Sequence, residues 1–190
     1  MNRIGILLCF LILGCMSCKN TKKEIDKLEL AKRYYEALDT SDRMEMAKLL
    51  TDSLLTRETE YDYEQTFSQE EYLEWLKWDS VFGPAYEILD IGEEKGFVKA
   101  SVSKVDKRIL FLHEEPIVTR QHIHFKEDKI ITVETTKYEV FKDSIFVKNR
   151  TEFLQWINEN HPELNGVIYD QTKAGGLKYL KAMQLFEDRN

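Results

Sequence analysis

Arg33-Tyr34-Tyr35-Glu36-Ala37-Leu38-Asp39-Thr40-Ser41-Asp42 ends one helix and primes the next. Upstream of the break, Leu28, Ala31, Tyr34, Tyr35 and Leu38 recur at helical spacing, which predicts an amphipathic helix over Ile25 to Leu38. Asp39-Thr40-Ser41-Asp42 interrupts that period and supplies capping side chains for a short second helix with Met46, Leu49 and Leu50 inward. Leu54 to Tyr63 then alternates and is rich in Thr and Tyr, the pattern of a strand. Ser68-Gln69-Glu70-Glu71 is a capping box for a third helix, which carries Tyr72, Trp75, Leu76 and Trp78 and stops at Gly83-Pro84.

Strands follow this helix. Tyr86 to Ile91 and Phe97 to Val105 are joined by Gly92-Glu93-Glu94-Lys95-Gly96, a hairpin connection. Arg108 to Leu112, Ile117 to Phe125 and Ile130 to Phe141 continue the meander, with Glu127-Asp128-Lys129 turning the last pair. Asp143 to Arg150 reads as a mixed-charge connector. Asn149 and Glu152 then offer caps for a helix bearing Phe153, Trp156 and Ile157, and Leu177, Leu180, Met183 and Phe186 mark a terminal helix beyond Gly175-Gly176. The expected class is α+β with one curved antiparallel sheet around N-terminal helices and a C-terminal helical extension.

The N-terminal end carries an address. Arg3 precedes an apolar run from Ile4 to Leu13, too short to span a bilayer and shaped like a secretory signal. Ile12-Leu13-Gly14-Cys15 resembles the bacterial lipobox, which implies lipidation of Cys15, with the small Gly14 before the cut. Cys18, behind Ser17 and Met16, is the alternative site, and an ordinary secretory signal with incidental cysteines is the plainer reading. The expected location is the bacterial cell envelope, with the chain held on a membrane through lipid. No cysteine follows Cys18, which excludes an internal disulfide, a thiolate metal site and a thiol nucleophile from the body of the chain. A net charge of −7 argues against nucleic acid as a partner.

The order of elements resembles the NTF2-like superfamily, in particular the SnoaL and ketosteroid isomerase type of cone. Arg33 to Asp42 is similar to that family's first helix and turn, and Leu49-Leu50-Thr51-Asp52-Ser53 to its helix-to-strand junction. Gln121-His122-Ile123-His124-Phe125 with Glu127-Asp128-Lys129-Ile130 resembles its late hairpin. This resemblance implies an NTF2-like cone over 25–141; with the lipobox reading of the N-terminal end, the expected organisation is a signal over 1–14, a lipidated tether over 15–24, that cone, and a helical extension over 142–190 outside the common core. The resemblance also implies a conical pocket, which this superfamily uses for isomerisation, dehydration, cyclisation, plain ligand binding or protein binding.

By this resemblance, the isomerase branch's oxyanion-holding tyrosine falls on Tyr34, its base on Glu58 and its second acid on Gln121. Gln121 is a neutral amide where the chemistry uses an acid. Glu58 is also legible as one of a solvated strand face with Thr56, Glu60 and Asp62, and Tyr34 as plain core. Tyr72, Trp75 and Trp78 are natural lining groups if a pocket exists, and ordinary helix packing otherwise. His122 and His124 emerge on one face of a strand. A metal would need further ligands there, recruited from Glu134, Glu139 or His113 only by favourable register, so no metal and no cofactor are expected. Arg120 is expected to pair with a glutamate across the sheet.

The reading is thus an envelope lipoprotein that binds a small apolar ligand or an envelope partner at Tyr34, Glu58, Tyr72, Trp75, Trp78 and Gln121 without catalysis. The alternatives are a SnoaL- or isomerase-like enzyme with Glu58 as base and Tyr34 as oxyanion donor, and a protein-interaction or immunity-type module. The open sheet leaves room for a homodimer.

Overall fold

The computed structural model describes residues 26–189; the expected signal and tether and both lipidation candidates, Cys15 and Cys18, lie outside the described residues. Helix α1 (Lys27–Asp39) is capped by the Asp26 carboxylate, which accepts from the Glu29 N–H at 2.9 Å. Helix α2 (Arg43–Leu49) is capped by Asp42, which accepts from Met44 and Glu45. Leu50 opens strand β1 (Leu50–Glu58) rather than closing the helix. The expected strand through Tyr63 is in fact a hairpin. Residues Thr59–Tyr61 form a single 3-10 turn, Asp62 takes a left-handed φ of 48°, and β2 (Tyr63–Ser68) returns with Glu58 opposite Tyr63. Glu60 and Asp62 therefore do not share a strand face with Glu58.

Helix α3 (Gln69–Ser80) begins with the capping box read from the sequence, Ser68 and Glu71 satisfying each other's backbone N–H. Strands β3 (Ala85–Glu94) and β4 (Phe97–Val105) are longer than expected, and the turn shrinks to Lys95-Gly96. Both turn residues have positive φ, 46° and 90°, as a two-residue type I′ hairpin requires.

Arg108 to Leu112 is a helix, not a strand. The Asp106 carboxylate accepts from the Ile109 N–H at 2.6 Å and caps α4 (Lys107–His113), burying Ile109 and Leu112 and leaving Leu110 outside. The four-residue apolar run Ile109 to Leu112 fits either period, and the cap decides. Strands β5 (Ile117–Lys126) and β6 (Lys129–Val140) complete the sheet.

The sheet order is β2-β1-β6-β5-β4-β3. All neighbours are antiparallel except β1 and β6, which run parallel, so the chain's first strand lies beside its last. Three register shifts between β5 and β6 bend the sheet, as bulges do. Its concave face encloses a core of Ala31, Tyr35, Leu38, Met46, Leu54, Leu76, Val98, Ala100, Ile123 and Ile130.

The connector expected over Asp143 to Arg150 is helical. Helix α5 (Asp143–Asn160) starts six residues before the anticipated Asn149 cap, and the Asn149 amide instead donates to the Leu112 carbonyl at 3.1 Å. His113 ties the same junction. The Lys142 N–H donates to its Nε2 at 2.6 Å, so its Nδ1–H is free to donate to the Glu115 carbonyl at 2.8 Å.

Helix α6 (Lys173–Glu187) buries Gly175, Gly176, Tyr179, Ala182 and Met183, whereas Leu177, expected inward, is exposed. Together α5, α6 and the far end of α3 build a second core of Trp78, Phe82, Phe153, Ile157, Tyr179 and Met183. No helix among the described residues is long and apolar enough to cross a membrane.

Gly175 and Gly176 thus sit inside a helix, not at a break. A Cβ on Gly175 would lie 2.1 Å from the Asp170 carbonyl oxygen and 2.3 Å from that residue's Cγ. Asp170 is held in place by Thr172, whose hydroxyl donates to it at 2.6 Å. Gly→Ala ordinarily favours a helix by about 1 kcal/mol. Here Gly175→Ala is expected to destabilise by about 1–3 kcal/mol, by overpacking against backbone. A thermal melt checks the sign, and a raised Tm would mean that the Asp170 turn yields freely.

Candidate functional site

The bent sheet leaves a cavity of about 640 Å³ between its concave face, α1, α3, α4 and the start of α5. Alternation along the strands aims Val102 and Lys104 of β4, Thr119 and Gln121 of β5, and Val133 and Thr135 of β6 into it. Helix α1 contributes Tyr34 and Leu38, and α3 contributes Tyr72 and Trp75. Phe141, Phe146 and Val147 stand at the edge supplied by α5 and the residues before it. The size falls within the range of small-molecule pockets.

Five of the six residues singled out from the sequence meet here: Tyr34, Glu58, Tyr72, Trp75 and Gln121. Trp78 does not line the cavity. It lies in the second core, with Phe82 at 5.1 Å edge-on, and its buried indole N–H has no partner among the described residues.

The polar groups of the cavity are largely satisfied within the protein. The Tyr34 and Tyr72 hydroxyls are 2.6 Å apart, so one donates to the other and the second keeps its proton for another acceptor. Burial pushes Tyr34 up to about 12 and Tyr72 well above the ordinary phenol value. Tyr35 donates to the Gln121 Oε1 at 2.9 Å, and the Gln121 amide donates to Thr119 Oγ1 at 3.1 Å. Gln121 is thus engaged at both ends of its amide. Glu58 accepts from the Tyr138 hydroxyl at 2.9 Å, and burial, then the Glu58 charge, raise the Tyr138 pKa.

One charged cluster was not anticipated. Asp79 and Asp106 have no side-chain exposure, and Lys104 and Arg108 reach them from the cavity wall. Lys104 Nζ lies 2.7 Å from Asp79 Oδ1 and 4.9 Å from the centre of the Tyr86 ring. Arg108 Nη2 lies 3.1 Å from Asp106 Oδ2 and 3.7 Å from Asp79 Oδ1, and its guanidinium covers Trp78 at 4.7 Å. The Tyr86 hydroxyl donates to Asp79 Oδ2 at 3.3 Å.

Two carboxylates balance two cations, so the cluster has no net charge to offer a charged ligand. The sequence did carry its signals: Lys104 is in phase with the inward Val98, Ala100 and Val102, and Asp79 stands seven residues, two helical turns, after Tyr72.

No family model matches the chain, and no curated protein does. Solved structures are similar in fold. IdmH from Streptomyces antibioticus, a proposed polyketide cyclase, is 9% identical over 66% of this chain and 99% of its own, with a TM-score of 0.50. A proposed ketosteroid isomerase from Kribbella flavida is 14% identical over 61% of this chain and 80% of its own, at 0.49. An NTF2-like protein of unknown function from Cytophaga hutchinsonii is 14% identical over 62% of this chain and 94% of its own, at 0.48. At these identities the likeness concerns the fold alone.

Proposed function

Starting from a chain with the NTF2-like fold and this cavity, we propose that the protein binds a small, largely apolar and uncharged ligand without transforming it. The observation that carries this reading is the cavity itself, mostly aromatic and aliphatic along its walls, with a charge-balanced cluster at one side and Glu58 and Asp143 as the other charged residues lining it. A ligand there finds shaped apolar area and one free phenolic proton from the Tyr34–Tyr72 pair. Glu58 and Gln121 already have partners, which supports binding over proton transfer. The lipobox resemblance supports an envelope lipoprotein anchored through Cys15, with Cys18 as the alternative.

Native mass spectrometry of the full chain purified from its host tests the reading. A reproducible added mass, lost on denaturation, is expected, and a clean apo mass would redirect the search to protein partners. Thr135 lines the cavity and is only partly buried, so Thr135→Phe is expected to fill space without unfolding the sheet. It should weaken retention of that ligand by at least tenfold, a loss of about 1.4 kcal/mol. Tryptophan fluorescence, with Trp75 in the cavity wall, offers the readout.

One observation favours a second reading: Glu58 and Tyr34 line the same space. If Glu58 acts as a base on the bound molecule, the retained compound is converted on incubation and Glu58→Gln abolishes the conversion. Because an isomerisation leaves the mass unchanged, recovery of the chemically identical ligand by chromatography and NMR rules this out.

A further inference from the structure

The opposite, convex face of the sheet carries a different chemistry. His122 and His124 project there from β5, and register places Glu134 of β6 directly across from His122. Glu134 Oε2 is 3.9 Å from His122 Nδ1 and 3.8 Å from His124 Nε2, and one donor atom from each of the three residues falls within 4.8 Å of the others. Glu139 is not available, because Arg120 holds it, and His113 is buried at the α4–α5 junction. We propose that His122, His124 and Glu134 bind a divalent first-row transition-metal ion, with zinc as the reference ion, independently of the cavity.

The donor types fit. Two imidazoles and one carboxylate form a three-ligand set that leaves a fourth position to water. A tetrahedral ion about 2.0–2.2 Å from each donor would place the donors roughly 3.3–3.5 Å apart, so closure brings the carboxylate about half an ångström nearer each histidine and draws the two imidazole donors, which lie within 4.8 Å of each other, together by up to about 1.5 Å.

The surroundings also direct the carboxylate. Thr59 Oγ1 donates to Glu134 Oε1 at 3.1 Å, and Arg57 Nη1 lies 3.9 Å from that same oxygen. Both outer contacts fall on Oε1, and Oε2 is the oxygen turned toward the histidines. This is the arrangement by which outer partners orient a ligand. Neighbouring cations have carboxylates of their own: Arg57 pairs with Glu64 at 3.1 Å, and Lys99 with Glu94 at 2.9 Å. Phe97 packs its ring 4.6 Å from that of His122 and 5.4 Å from that of His124, restricting both.

The test is a calorimetric titration of the full chain in detergent with zinc alone. Any cysteine among Cys9, Cys15 and Cys18 that is present as a free thiol is alkylated beforehand, since thiolates bind zinc themselves. Uptake of one equivalent is expected, and cobalt(II) in its place should give the visible absorption of a tetrahedral site. The double variant His122→Gln/His124→Gln should bind at least about 100-fold more weakly, exceeding the roughly 10–100-fold effect typical of removing an outer partner. Thr59→Val, which leaves all three ligands, should weaken binding about tenfold.

His124 is the more exposed of the two histidines, so His124→Gln alone repeats the titration in a variant that keeps its fold. Failure to take up zinc, or uptake unchanged in either histidine variant, overturns the proposal. Because the cavity plays no part in this titration, the result stands apart from the ligand-binding reading.

Discussion

Asp79→Ala is expected to destabilise the folded protein by about 3–5 kcal/mol in denaturant unfolding, the range for breaking a buried ion pair from one side. The carboxylate is fully buried between Lys104 and Arg108 and accepts from Tyr86, so its removal leaves two cations to share Asp106 alone. Asp79→Leu combined with Lys104→Met should recover much of the loss, because apolar groups of similar size replace the pair.

The effect should also depend on pH. Burial, opposed chiefly by Asp79, already pulls Lys104 below its ordinary value. In the variant that opposition is gone and the depression deepens. Between the lowered folded value and the unfolded one near 10.5, the unfolded state binds more protons, so stability rises with pH. Below that window both states are protonated and the penalty stands in full. The deficit of Asp79→Ala relative to wild type should therefore shrink as alkaline pH approaches 10.5. A deficit under about 1 kcal/mol at neutral pH would mean that the cations escape to solvent.

Phe153→Ala is the second large effect, also about 3–5 kcal/mol. Phe153 is fully buried, edge-on to Phe111 at 5.1 Å and Phe186 at 5.5 Å, and stacked on Tyr179 at 5.7 Å. Trp78 and Phe82 belong to the same core yet sit at the end of the helix that carries Tyr72 and Leu76 into the first one. The two cores should therefore melt as one unit, with a single shifted transition by far-UV circular dichroism and tryptophan fluorescence. Separate transitions, with the cone unmoved, would identify the C-terminal helices as an independent body.

Much of this architecture is written in local chemistry. Asp26, Asp42 and the Ser68–Glu71 box place the first three helices, and alternation in Phe97 to Val105 and Ile117 to Phe125 places the central strands. What escaped was decided by single side chains or by pairing. The Asp106 cap turns an apolar run into α4, and the left-handed Asp62 turns one strand into two. Helix α5 begins without any side-chain cap, so its start is marked only by Asp143 in the first turn, a weak signal inside a mixed-charge stretch.

The site follows the same division. Tyr34, Tyr72 and Trp75 are legible from helical phase. Lys104 is in inward phase too, but its charge taken alone suggests solvent. Whether Glu134 or Glu139 faces the histidines depends on register between β5 and β6, which three bulges shift and no residue pattern discloses.

The parallel seam between β1 and β6 has a consequence for the order of assembly. Every other strand pairs with a neighbour close in sequence, but β1 meets its inner partner only after residues 59–128 have been made. At about 5–20 residues per second, a chain emerging N-terminal end first spends roughly 4–14 s before that partner appears. Throughout this interval the β1–β2 hairpin presents an unpaired edge to whatever is nearby, and closure of so long a loop is the slow kind of step. Nascent protein should thus rely on being shielded in transit until its sixth strand arrives, and shortening that delay would raise its yield more than strengthening either hairpin.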